Sequence, residues 1–208
     1  VADVVVDNFS QGVTKRLGID HQSLKKVNPK IITCSISGFG DTEVNRPAYD
    51  NLIQGYAGAM SITGTDKDNP VKSGIPIADL GAGLYAVIGI LSAIQSREKN
   101  DSGEHVDISM LDTQVSLLTY MATMHFLSGE NPEPIGKQHM NHVPFNSYRT
   151  SDGFIQIGVV AEDFWPSLIE ALDLRQLDTE ENKVRIGRLK NRENIDEALQ
   201  EVFITNST

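Results

Sequence analysis

The chain has 208 residues, a formal net charge of −10 and 39% hydrophobic residues, so it is long enough to bury a core in one or two domains. The acidic balance argues against a general binder of nucleic-acid backbones, whose affinity rests on neutralising phosphates, while leaving room for a local basic pocket around one anionic cofactor. The lone Cys34 cannot form an internal disulfide, which points to a reducing compartment.

Val1 leads directly into the β-branched run Val4-Val5-Val6, with no cap or leader pattern before it, and the end is equally abrupt. The chain therefore reads as a central fragment of something longer. Residues Asp3 to Asp7 form a buried strand in this reading, Gly12 to Leu17 a helical turn, and His21 to Val27 a helix stopped by Asn28-Pro29. Ile31 to Ile36 is the next strand. Strand, helix, strand implies a parallel α/β sheet with ligands at the carboxyl ends of the strands, just where Asn8, Phe9 and the Ser37 to Gly40 turn lie.

Asp50 to Ile62 is helical by the spacing of Leu52, Ile53, Tyr56 and Ala57, and Thr63 to Gly74 is a loop. Asp79 to Arg97 is the longest helix; apolar on nearly every face, it is expected to be buried. No membrane span is read here, because Gly, Asp and Tyr punctuate the run from Ile75 to Ile94. A strand at His105 to Met110 and a helix from Leu111 to Leu127 follow, with Asp112 as a cap and His125 as a core or interface residue. The organisation predicted is a large α/β domain over residues 1–128, a Pro- and Gly-bearing linker over 129–146, and the start of a smaller domain over 147–208. The last opens on a hairpin, Ser147 to Thr150 and Phe154 to Val160, continues through a helix at Phe164 to Leu172, and ends in a charged helix from Lys183 to Phe203. The arginines from Arg185 to Arg192 are read as a solvated face.

The chemistry concentrates between Arg46 and Gly89. Asp50 and Asp79 stand near helix starts, where an Asp ordinarily caps free N–H groups. Gly81 and Gly83 bare the backbone after Asp79 and let another segment or a ligand approach closely. A carboxylate in so open a place can act as a nucleophile.

Tyr49-Asp50, the thirty-residue step from Tyr49 to Asp79, and the run Ala-Asp-Leu-Gly-Ala-Gly-Leu-Tyr-Ala from Ala78 to Ala86 resemble the family III CoA-transferases, the CaiB/BaiF family. The resemblance continues through Val4 to Phe9, Cys34 to Gly40 and Val106 to Asp112. That family includes formyl-CoA, carnitine and dicarboxylate CoA-transferases and the related alpha-methylacyl-CoA racemases. The resemblance implies a Rossmann-like parallel sheet with a second, smaller α+β domain, and a full chain that forms an interlocked homodimer. It implies acyl-CoA and a free carboxylic acid as substrates, coenzyme A as the group carried, no metal, no nucleic acid or membrane partner, and a cytoplasmic location, or the mitochondrial matrix in a eukaryote.

Residue by residue, the resemblance makes Asp79 the nucleophile and an aspartyl-CoA thioester the intermediate. Free N–H groups at the helix start are expected to favour the anion and to hold the oxyanion of a tetrahedral intermediate. Asn8, Phe9, Arg16, Arg46 and Tyr49 are the implied CoA contacts, with Lys15 a substitute for Arg16 at a phosphate. Tyr49, Asp50, His139 and His142 are the substrate-binding candidates. Tyr49 stands where the racemases carry a proton-moving His, and a phenol near pKa ~10 is a poor base. A further racemase carboxylate falls near Ala161, beside Glu162 and Asp163. The stretch Lys137 to His142 lacks the glycine run of the formyl-transferring members, which favours a dicarboxylate pair; two His three apart with no adjoining Cys or carboxylate carry little metal signal. The rival readings are an acyl-CoA racemase or isomerase and a non-catalytic CoA-binding protein.

Overall fold

The computed structural model describes residues 2–44 and 46–208. Val1 and Asn45, which open the first strand run and the site-bearing stretch in the sequence, lie outside the described residues. The chain divides into two compact units, Val1–Pro134 and Ile135–Thr208.

The first unit is built on three parallel strands in the order β1 (Val4–Asp7), β2 (Ile32–Ser37), β3 (His105–Ser109). This is the parallel α/β sheet expected. β2 lies between the other two, and its residues Ile32, Thr33 and Cys34 are buried. Side chains alternate across the sheet, so the two faces meet different helices. On one face Thr33 accepts or donates at both His21, in α2 (His21–Lys25), and His105, at 3.0 and 2.8 Å. On the other, α4 (Ile77–Asn100) crosses β3 with Gly89 against Val106. α1 (Val13–Leu17) precedes α2, and α3 (Asp50–Tyr56) packs with α4 and α5 (Met110–Ser116). Phe39, Ile53, Ala78, Ala82 and Met110 form the core under the carboxyl end of the sheet.

Two long helices of the sequence reading are interrupted. Gly58, left-handed at φ 79°, ends the first after Tyr56 and starts a separate 3-10 turn, Ala59–Ile62. Thr119, at φ 47°, separates α5 from α6 (Tyr120–Ser128). Neither interruption alters the apolar spacing, which is why periodicity missed both. Asp112 is not the cap of α5: Ser109 is, its side chain accepting from the Asp112 N–H at 3.1 Å.

α4 corrects two further expectations. By length and composition it is apolar enough to cross a membrane, with a mean hydropathy of 1.9 over its best window. It is not buried on all sides either. Ala78, Ala82, Ala86 and Ala93 face the protein, while Leu80, Leu84, Val87, Ile88 and Leu91 are exposed. Small residues thus form the packed stripe and large ones the open face.

The second unit pairs β4 (Phe145–Arg149) antiparallel with β5 (Phe154–Gly158), and α9 (Arg192–Ile204) packs on β4. Ile195, Leu199 and Phe203 stand four residues apart on one face of α9 and meet Trp165 and Ile169 of α7 (Phe164–Ala171) in a continuous core with Tyr148. The charged terminal helix breaks at Asn191 into α8 (Arg185–Lys190) and α9. Arg188 is not part of a solvated face. It is buried, donates to the carbonyls of Val143 (2.8 Å), Asn182 (2.9 Å) and Lys183 (3.2 Å), pairs with Glu162 at 2.7 Å and stacks over Trp165.

Candidate active site

The loops that leave β1 and β2 are tied together above the sheet. Asp7 accepts from the Phe9 N–H at 3.2 Å and the Ser35 hydroxyl at 2.8 Å; Gln11 donates to Thr42 C=O at 2.9 Å; Asp107 accepts from the Asp41 N–H at 2.7 Å. This holds Asn8 and Phe9 in the loop past β1, with Phe9 half exposed, while Arg16 lies exposed in the last turn of α1. Beyond β2 the chain returns against itself. A Cβ on Gly38 would lie 2.1 Å from that of Ala48, so only glycine admits the segment that carries Tyr49. Arg46 rests over the rings of Phe39 and Tyr56, 5.1 and 4.6 Å from their centroids, which places its charge beside the same segment. Tyr49 is exposed at the N-cap of α3.

Asp79 lies in the first turn of α4, exposed to solvent, and is not its cap. Pro76 holds the cap position and has no side-chain acceptor. Asp50 supplies it from the neighbouring helix: its Oδ1 accepts from the N–H groups of Ala78 (2.9 Å) and Asp79 (3.3 Å), the two donors a cap residue would ordinarily satisfy. The Ile77 N–H goes to Ile75 C=O and the Leu80 N–H to Pro76 C=O. All four donors of the first turn are therefore spoken for, and the sequence expectation that they hold a developing oxyanion does not match the geometry. The charge logic changes with it. Partial burial, and then the Asp50 charge, push the Asp79 carboxyl above the ordinary aspartate value rather than letting the helix start lower it.

The other oxygen of Asp50 is also occupied. Gln54, one helical turn on and fully buried, donates through Nε2 to Asp50 Oδ2 at 2.6 Å and accepts the Ser73 N–H on Oε1 at 2.8 Å. Sequence reasoning missed Gln54, although its i, i+4 relation to Asp50 was a legible signal. Gly81 admits α5, since a Cβ there would meet Thr113 at 3.0 Å and Leu117 at 3.2 Å; around Gly83 there is open space.

His139 and His142 belong to the second unit. Their rings meet at a tilt of 55°, 4.9 Å between centroids, and both neighbour the ring of Phe145. His142 Nδ1 is enclosed without a hydrogen-bond partner among the described residues, and burial, followed by the neighbouring His139, pushes that imidazole below its ordinary value. Glu162 is engaged by the Arg185 N–H and by Arg188. Among the described residues no group of three or more His, Cys, Asp or Glu is placed to hold a metal.

The sequence matches the model of CoA-transferase family III over residues 1–208. It is 35% identical to succinate–glutarate CoA-transferase of Agrobacterium fabrum over 89% of this chain and 48% of that protein. It is 33% identical to succinyl-CoA:mesaconate CoA-transferase of Haloarcula marismortui over 93% of this chain and 50% of that one. The fold superposes on the crystal structure of a CaiB/BaiF family protein from Brucella suis with a TM-score of 0.88 and 34% identity, covering 99% of this chain and 55% of that chain. The chain thus spans about half the length of the curated relatives it matches.

Proposed function

The chain belongs to CoA-transferase family III, and on that premise we propose that the whole protein moves CoA from an acyl-CoA donor to a free carboxylic acid, with Asp79 as the nucleophile. The observation that carries this reading is the division of labour between the two aspartates: Asp50 caps α4, so the Asp79 carboxylate is left exposed and unspent at the helix start. Relatives named for succinyl-CoA, glutarate and mesaconate favour dicarboxylates as the acids exchanged.

The chemistry balances with one carboxylate. Asp79 attacks the donor thioester carbonyl and expels CoA thiolate, leaving a mixed anhydride. The thiolate then attacks the Asp79 acyl carbon of that anhydride, giving an aspartyl-CoA thioester and the free donor acid. The acceptor carboxylate attacks this thioester, expelling thiolate again, and the thiolate takes the acceptor acyl group from the second anhydride and regenerates Asp79. A carboxyl held above the ordinary aspartate value is more basic than usual when ionised, which suits attack. Asn8, Phe9, Arg16, Arg46 and Tyr49 are the proposed contacts of the CoA portion, with Arg16 suited to a phosphate by its fixed donor fork. Tyr49 and Asp50 remain the proposed surroundings of the acids in the first unit, Asp50 acting through its hold on α4, and His139 and His142 remain substrate-binding candidates within the second. The family resemblance carries two more parts of this reading, a homodimeric whole protein and a cytoplasmic site of action, which sedimentation and cell fractionation test.

Incubating the full-length protein with donor acyl-CoA and no acceptor is expected to add the mass of CoA to the peptide bearing Asp79, and hydroxylamine to convert that one carboxylate to a hydroxamate. An adduct on Asp50 or Asp112 moves the nucleophile. No adduct on an active protein removes the thioester mechanism.

A further inference from the structure

Resting on that reading of Asp79, we propose that Gln54 is a positioning residue of the transfer reaction: its buried amide clamps Asp50 across the N-terminus of α4 and so fixes where the Asp79 carboxylate stands. The geometry is a chain of three links from three segments. Ser73, at the end of the loop before α4, donates its N–H to Gln54 Oε1; Gln54 Nε2 donates to Asp50 Oδ2; Asp50 Oδ1 receives the N–H groups of Ala78 and Asp79. Each Gln54 atom is used in the only sense its chemistry allows, the amide NH2 giving to a carboxylate and the amide carbonyl receiving from a backbone N–H.

Gln54 has almost no exposed surface, so neither bond is replaced by water when it is lost. An Asp50 free to rotate would release the two α4 donors, and their partial positive charge would draw the Asp79 carboxylate toward the helix end. The clamp therefore keeps the nucleophile turned outward and its surroundings negative. It also joins the 63–74 loop to the reacting group, since Ser73 is the loop's attachment to Gln54.

Two substitutions in the full-length enzyme test this, each read by the single-turnover rate of the CoA adduct on the Asp79 peptide with succinyl-CoA as probe. Gln54→Ala is expected to slow adduct formation about tenfold to a hundredfold, as a nucleophile displaced by about an ångström would, while leaving half-saturation by succinyl-CoA within about threefold. Gln54→Glu supplies a sharper readout. Protonated, the new carboxyl offers one donor and one acceptor as the amide does; ionised, it has only acceptors and sets a like charge against Asp50. Its rate relative to wild type is therefore expected to approach one at low pH and to fall as pH rises through that carboxyl's ionisation. The elements around it carry Asp50 on α3, Lys72 beside Ser73, Asp79 at the start of α4 and Asp112 on α5, with Asp66, Lys67 and Asp68 earlier in the 63–74 loop and Arg97, Glu98 and Lys99 at the far end of α4. These are common to both proteins, and the fall in the ratio reports the new carboxyl together with Asp50, which ionise as a coupled pair. If Gln54→Ala does not fold, the low-pH recovery of Gln54→Glu still decides the matter. A wild-type rate in Gln54→Ala, or a ratio that does not change with pH, overturns the role of Gln54 while the wild-type adduct on Asp79 stands. An adduct missing from wild-type Asp79 overturns the nucleophile assignment and this proposal with it.

Discussion

In the Ile135–Thr208 unit, α7 and α9 meet over the hairpin and leave Trp165, Ile195 and Leu199 with no exposed surface, whereas in the larger Val1–Pro134 unit α4 leaves Leu84, Ile88 and Leu91 each more than half exposed. The smaller unit gathers these three into one core, with Phe154, Phe164 and Ile186 left on its surface. The larger one is held at its carboxyl end by small residues in close approach, Ala78 and Ala82 under Ile53 and Phe39, and by the Asp50–Gln54 clamp, while its widest apolar face meets no partner within the unit. The smaller unit's buried polar anchor has no slack. Arg188 satisfies three carbonyls and Glu162, and the Glu162 carboxyl is held below its ordinary value, chiefly by the Arg185 N–H and further by Arg188.

The comparison breaks most readily at Arg188. Arg188→Met strands those carbonyls, while Glu162 turns to solvent, and is expected to cost about 3 kcal/mol or more, since each buried acceptor left unpaired costs about 1–3 kcal/mol. Trp165 is the only tryptophan and lies in this unit, so its fluorescence during urea titration reports the loss. An unchanged midpoint refutes the anchor. Next in size is Gly38→Ala, where the added methyl lands on Ala48; a cost of about 1–3 kcal/mol is expected from overpacking, read by circular dichroism melting, together with slower adduct formation on Asp79 if the Tyr49 segment shifts. Loss of neither stability nor rate would show that the return of the chain over β2 is loose.

Leu84→Lys sharpens the contrast from the other side. In the 208-residue chain it is expected to change stability by less than about 0.5 kcal/mol, because the site is open, and to reduce binding of an apolar dye. A large loss of stability in this chain would mean that the face is covered. The smallest effect belongs to Asp79→Asn. The folded Asp79 carboxyl sits above its unfolded value, so the native state binds the extra proton and ionisation costs stability as pH rises. Asn removes that cost. A slight rise in melting temperature is expected near neutral pH, vanishing in acid once the carboxyl is protonated in both states; a rise that persists in acid would contradict this cause.

The parallel strands and the helix that begins beside Asp79 were legible because each is written locally. Val4 to Val6 and Ile31 to Ile36 carry β-branched runs, and a glycine-punctuated apolar run follows Asp79 in the first turn of α4. The breaks at Gly58 and Thr119 were hidden because one residue can turn the backbone without disturbing the pattern on either side. Arg188 was misread for a different reason. Sequence shows a charge among charges, and nothing local announces that three carbonyls from elsewhere in the unit will converge on it.

Asp50 and Asp79 divide along the same line. Sequence determined that both carboxylates stand at the starts of successive helices, because capping preference and apolar spacing act within a few residues. It could not determine which helix each one serves. Only when α3 lies against α4 does Asp50 reach the amides that Pro76 leaves uncapped, and only when Ser73 closes over Gln54 is the carboxylate held there. Hydrogen bonds between distant segments depend on distances that chain order does not encode, so which carboxylate caps α4 and which stands exposed was decided by tertiary structure.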